Sequence, residues 1–200
     1  FAMEVKGYDP RERLSDRRLR KTDLFSQFAI TAATEAIDDA GLEAGSEDPS
    51  RIGVITGTGV GGLATIISNC KTLHERGPHR LSPFLIPRMM CNAPSGHIAI
   101  LHGFQGPNFA TVSACASAQH AIGVAFDNIV AGRCDAMVTG GSEAAITELG
   151  IGGFGNMNAL SSRNDDPLTA SRPFTKSRDG FVMGEGAGMF VFELESRARA

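Results

Sequence analysis

Short apolar runs alternate with helix-patterned segments along this chain, and that alternation restricts it to a layered α/β fold. A helix runs from Asp23, its cap, to about Ala40. Leu24, Phe25, Phe28, Ala32, Ala36 and Ile37 recur on one face, and Gly41 suits the position after the last turn. IGVIT at 52–56 reads as a buried strand; the turn GTGVGG and a helix over 63–73 follow. ERGPHRLSPF at 75–84 is a loop, and Pro83, Pro87 and Pro94 keep the next stretch irregular before a short helix over 95–101. NFATVS at 108–113 is a second strand, leading into an alanine-rich helix over 116–131 that Gly132 ends. DAMVT at 135–139 is a third strand. The glycine-rich 150–155 stretch reads as a loop and 161–180 as a polar, turn-rich segment. An apolar strand at 189–194 precedes a charged tail with Arg197 and Arg199. No repeat of fixed period is present.

At 200 residues the chain is long enough for one domain with a sizeable core. A net charge of −3 gives no case for general nucleic-acid binding. No apolar run reaches the roughly 18 residues of a membrane span, and the first residues lack the apolar core of a signal peptide. Cys70, Cys91, Cys115 and Cys134 are far apart, with no CxxC, which argues against a zinc site and against a disulfide framework. A reducing compartment, the cytoplasm, is the expectation.

Two motifs invite chemistry. Gly57, Gly59 and Gly62 match GxGxxG between a strand and a helix, the dinucleotide-binding pattern. That fingerprint needs an acidic residue ending a second strand about 20 residues on. The distance lands here in the 75–84 loop, so a tight turn under a close neighbour is the better reading. Cys115 lies between the 108–113 strand and the helix after it. A residue on such a turn projects from the sheet, and the helix N-terminus favours a thiolate and offers N–H groups to a developing oxyanion. Small neighbours Ala114, Ala116, Ser117 and Ala118 leave room for an acyl chain. Position alone leaves Cys115 either a nucleophile or a packed, inert cysteine. His120 is no obvious base, because five steps along a 3.6-residue helix turn it off the Cys115 face. His74, His79, His97 and His102 stand in no motif. Arg172, Arg178 and Asp179 read as pins for their loop. The basic cluster PRERLSDRRLRK at 10–21 is either a solvated face or a docking patch for an acidic partner.

Taken together, GTGVGG, SACASAQHAIG, GGFG, ALSSRND, SRPF and RDGFVMGEGAG resemble the β-ketoacyl-[acyl-carrier-protein] synthases, most closely the type II condensing enzymes of bacterial fatty acid synthesis. The joint occurrence is specific, and the likeness covers nearly the whole chain. It implies a thiolase-like α-β-α-β-α stack built from two related halves, and residues 1–200 as an incomplete N-terminal synthase domain. It implies that Cys115 takes an acyl group from acyl carrier protein as a thioester. Malonyl-carrier protein then loses CO2 and its carbanion attacks that thioester, giving a 3-oxoacyl product two carbons longer. No metal or cofactor is implied. Val60 matches a residue that gates the acyl pocket, and Phe154 an aromatic at the active-site entrance. Arg17, Arg20, Lys21 and Arg80 match basic positions facing the acidic carrier protein, whereas Asn158 stands where relatives often carry Arg. A homodimer is implied, with the 108–113 strand pairing across it.

The family also uses two histidines, in HGTxTxxGD and GHxxGA contexts, a lysine and an FGFGG loop, none of which occurs here. The family's opening strand, which would precede FAMEVKG, is absent too. The chain is therefore expected to be an internal piece, inactive in condensation alone. A ketosynthase of aromatic polyketide synthesis shares the same motifs. A non-catalytic partner such as a chain-length factor resembles them as well, but commonly replaces the nucleophile with Gln.

Overall fold

The computed structural model describes residues 1–42, 45 and 48–199; Ala200, the end of the charged tail, lies outside them. Four strands, β1 (Ile52–Gly57), β2 (Asn108–Thr111), β3 (Ala136–Glu143) and β4 (Gly186–Glu193), form one sheet in the order β2-β1-β3-β4. β1 runs parallel to β2 and β3, and β4 closes the other side antiparallel to β3. The helices are α1 (Asp16–Leu19), α2 (Leu24–Ala40), α3 (Leu63–Arg76), α4 (Leu85–Met89), α5 (Ala93–His102), α6 (Ser117–Val130), α7 (Glu148–Asn156) and α8 (Glu195–Ala198).

Strand alternation decides which helix covers which face. Ile52 and Val54 of β1, with Ala136 and Val138 of β3, pack against Ile30, Ala33 and Ile37 of α2 and Ile98 of α5. The intervening Ile55 and Met137 turn the other way, onto Ala121, Ala125 and Ile129 of α6. Each Ile, Val or Met among them contributes about 1.5–3 kcal/mol when fully removed from water. Central β1 is buried at every position, as a strand covered on both faces must be. The expected α/β class is thus observed. Of the five-layer stack that the resemblance implies, the described residues supply one sheet and its two helical faces.

Arg51 and Asp135 clamp the entry ends of β1 and β3 through two hydrogen bonds, at 2.6 and 3.0 Å. The Arg51 bond holds the Asp135 carboxyl below its ordinary range. Gly41 ends α2 in the left-handed conformation, as expected.

Four expectations change. The proline stretch is not irregular throughout: Leu85–Met89 forms α4, and α5 begins at Ala93 with Pro94 in its first turn, where a missing N–H costs no helix bond. Residues 150–155 are helical within α7 rather than a loop. Thr147 caps this helix by accepting from the Gly150 N–H at 3.0 Å, Glu148 stands in its first turn, and a side chain at Gly150 would collide with the Ala145 carbonyl. Packing and capping here override the low helix propensity of glycine. β4 begins at Gly186, because ladder pairing with β3 reaches back to Glu143. Asp23 stands at the N-cap of α2, but its side chain does not cap that helix. Its Oδ2 instead accepts from the Thr65 N–H at 3.0 Å and from the Thr65 hydroxyl, capping the first turn of α3.

Asp23 is 2% exposed and joins two helix starts 42 residues apart in sequence. Asp23→Ala leaves buried donors unpaired, which costs about 1–3 kcal/mol. Chemical denaturation is expected to show that loss; a change under about 0.5 kcal/mol contradicts the cross-helix cap.

Candidate active site

β2 stops at Thr111, and α6 begins at Ser117; the chain reverses in the five residues between. Ala114 takes φ +51°, a left-handed conformation that costs a non-glycine residue about 1–2 kcal/mol. Five hydrogen bonds hold it there, one of them from the Ser117 N–H to the Ala114 carbonyl at 3.1 Å. The Ser117 hydroxyl donates to the Ala114 carbonyl at 2.7 Å and accepts from the Ser113 N–H at 2.9 Å. The Thr111 hydroxyl donates to the Ser117 carbonyl at 2.7 Å, and the Ala116 N–H donates to the Ser113 carbonyl at 3.1 Å. Backbone strain over-determined in this way is a feature of candidate functional turns. Cys115 sits on its crest, exposed, two residues before the first residue of α6. There the helix dipole and the first-turn N–H groups favour negative charge.

The turn rests on the C-terminal end of β1. A β-carbon added to Gly57 would lie 2.3 Å from the Ser117 carbonyl, so only glycine lets α6 come down on the strand. The next turn, Thr58 to Val60, wraps the carboxylate of Glu143 at the end of β3. Glu143 Oε2 accepts from the Gly59 N–H at 2.6 Å and the Val60 N–H at 3.2 Å, and Oε1 accepts from the Thr58 hydroxyl at 3.0 Å. The GxGxxG loop therefore spends the N–H groups of Gly59 and Val60 on the protein's own carboxylate, and those of Gly61 and Gly62 on the Thr58 hydroxyl and the Met89 carbonyl. This accounts for the glycines without a dinucleotide. Val60 emerges beside this loop, 38% exposed.

The four cysteines differ in setting. Cys134 is buried; Cys91 is half-buried, and burial pushes its thiol up; Cys70 is exposed on α3. His120 Nδ1 is hydrogen-bonded to the Ser113 hydroxyl. His102 stacks on Phe104 and bonds Thr34 at 3.3 Å, and burial pushes both His97 and His102 down. None of these bonds joins an imidazole to the Cys115 thiol.

Phe154 lies on α7, packed edge-to-face on Phe181 at 5.3 Å. Arg17 and Arg20 are exposed on and just after α1, and Arg80 is exposed in the loop after α3. Lys21 Nζ lies 5.6 Å over the Phe84 ring, which brings the α1 end against the segment that carries Arg80. Asp179 does pin its loop, but through Ser161 and Ser162, which hold its carboxyl below the ordinary range; Arg172 instead bonds Thr169. Sequence reading missed Glu143, whose partners lie 84 residues away, and the hydroxyls of Thr111 and Ser117. A serine two residues past the cysteine, at a helix start, was the available signal for the elbow's internal bonds.

An exposed thiol on a strand-to-helix turn with a left-handed residue before it, above an α/β sheet, has the geometry of a nucleophile elbow. The comparisons give the family. The model of the β-ketoacyl synthase N-terminal domain matches residues 2–198, and the chain belongs to that family. It is 47% identical over 200 residues to a protein of Vibrio cholerae named 3-oxoacyl-[acyl-carrier-protein] synthase 2, covering 100% of this chain and 48% of that one. A protein of the same name from Synechocystis is 49% identical over 197 residues, covering 98% of this chain and 47% of the relative. The crystal structure of a β-ketoacyl synthase from Burkholderia phymatum superposes with a TM-score of 0.88 at 32% identity, over 99% of this chain and 48% of that chain. The chain thus spans about half the length of the curated relatives it matches.

Gly57→Ala is expected to destabilise the protein by about 1–3 kcal/mol, because its methyl group meets backbone that has no room to give. Gly123→Ala, on the open face of the same α6, is expected to be neutral or stabilising by up to about 1 kcal/mol. Equal effects in thermal denaturation contradict the close seat of α6.

Proposed function

We propose that the full-length protein carrying this chain is a 3-oxoacyl-[acyl-carrier-protein] synthase and that Cys115 is its acyl-accepting nucleophile. The observation that carries this reading is the exposed Cys115 thiol on the bonded elbow at the head of α6. The Cys115 thiolate attacks the thioester carbonyl of acyl-carrier protein. The oxyanion forms beside the α6 N-terminus and collapses, and the carrier leaves as its thiolate. Malonyl-carrier protein then loses CO2; its carbanion attacks the Cys115 thioester, releasing the thiolate and a 3-oxoacyl chain two carbons longer. By resemblance, the histidines that assist this second step belong to motifs outside these residues, so residues 1–200 act as an N-terminal domain and do not condense malonyl units alone. The names of the relatives at 47% and 49% identity support the fatty-acid reading over an aromatic polyketide ketosynthase. The presence of Cys115 argues against a non-catalytic partner subunit.

Val60, beside the elbow loop, is the proposed wall of the acyl pocket, and Phe154 stands toward its entrance. Arg17, Arg20, Lys21 and Arg80 form the proposed docking face for the acidic carrier, where charge steers encounter more than it adds affinity. β2 is an edge strand with Phe109 40% exposed and Val112, just beyond it, 57% exposed, which supports pairing with a second copy as a homodimer. Among the described residues no helix is long and apolar enough to cross a membrane; the cytoplasm is the proposed location.

With labelled acyl-carrier protein, the full-length protein is expected to become labelled on Cys115, and Cys115→Ala to remain unlabelled. Label that persists in Cys115→Ala refutes the assignment. Charge reversal at Arg20 and Lys21 is expected to slow labelling at low salt and to flatten its salt dependence.

A further inference from the structure

We infer that Glu143 is a positioning residue that sets the acyl-length selectivity of the Cys115 thiol by fixing the Val60 loop beside it; the selectivity part rests on the proposed gating role of Val60. The register of the sheet brings the two together. β1 and β3 run parallel with Gly57 opposite Gly141, so Gly59 and Glu143, two residues beyond each, meet past the end of the ladder. Glu143 is held from the other side by its pairing with Gly186 of β4. Its carboxylate then brackets three consecutive residues, through the Thr58 hydroxyl at 3.0 Å and the N–H groups of Gly59 at 2.6 Å and Val60 at 3.2 Å. Thr58 passes the constraint on, because its hydroxyl accepts from the Gly61 N–H at 3.3 Å.

The bracket lies against the elbow. A β-carbon at Gly59 would stand 3.0 Å from Glu143 Oε2 and 3.3 Å from the carbonyl of Ala114, the residue before Cys115. One glycine is thus sandwiched between the carboxylate and the strained turn. Bonds from backbone N–H groups to an ionised acceptor are roughly twice as strong as neutral ones. The backbone position of Val60 relative to Cys115 is therefore set by Glu143 through the Gly59 and Val60 N–H groups, while the Val60 side chain stays 38% exposed. Loosening the bracket lets Val60 withdraw and admits longer acyl chains.

The test uses the full-length protein and measures the rate of label transfer to Cys115 from a short and a long acyl-carrier protein. Glu143→Ala is expected to raise the long-to-short ratio on the order of tenfold, the scale on which an apolar pocket distinguishes a methylene. Glu143→Gln, which keeps an oxygen for the two N–H groups and can donate to Thr58, is expected to restore most of the original ratio. An equal slowing of both lengths by Glu143→Ala would mark a merely structural role and overturn the inference; so would an unchanged ratio. Should Glu143→Ala not fold, Thr58→Val, which at constant shape removes the hydroxyl's bond to Glu143 and the one it accepts from Gly61, decides by the same ratio. Absence of label on Cys115 in the unsubstituted protein refutes the proposed function instead, so the two failures are distinguishable.

Discussion

The descent of the first turn of α6 onto the end of β1 is the contact from which the rest of the site follows. Gly57 permits it, because any side chain there would occupy the space of the Ser117 carbonyl. With α6 seated, Ser117 reaches back to Ala114 and Ser113, the left-handed Ala114 is held, and the Cys115 thiol stands clear of the sheet. The same seat puts the Ala114 carbonyl against Gly59, and so ties the elbow to the loop that Glu143 brackets. A packing requirement at one glycine thereby becomes an arrangement of a nucleophile and a neighbouring wall.

The sheet gives this arrangement its rigidity. β1 lies between two parallel neighbours with apolar side chains on both faces, so its C-terminal end is fixed by α2 and α5 from one side and α6 from the other. The elbow and the glycine loop both leave this one end, and the Glu143 carboxylate arrives from the adjacent strand at the same level. Convergence of loops at the carboxyl ends of parallel strands is where α/β folds place their chemistry. The edge strands β2 and β4 are less enclosed, and β2 carries its exposed apolar residues to the border of the sheet.

Much of this was legible in the sequence because it is local. IGVIT at 52–56 and DAMVT at 135–139 mark buried strands, the 24–40 periodicity marks α2, and a cysteine between a strand and an alanine-rich helix marks the elbow. The motifs that resemble the β-ketoacyl synthases turned a thiol of open role into a candidate nucleophile. What escaped was non-local. Asp23 caps α3, across 42 residues, because tertiary packing brings a second helix start to its side chain. Glu143 binds a loop 84 residues earlier, a pairing that only the strand register creates. The 150–155 stretch reads as a loop by propensity, yet the Thr147 cap and close packing at Gly150 make it helix. The glycine fingerprint was readable as a close approach, but its occupant, a carboxylate of the same chain, was not.

The central claim is that the elbow, and not mere exposure, makes Cys115 the reactive thiol. Cys70 supplies the internal comparison, being exposed too but on the body of α3, away from a helix start. The direct measurement is the rate of alkylation of each cysteine by limiting iodoacetamide at neutral pH, followed by peptide mass spectrometry on the native protein. Cys115 is expected to react several-fold faster than Cys70, because the turn presents its thiol clear of the sheet at the head of α6. Reaction of Cys70 at the same rate or faster would contradict the claim.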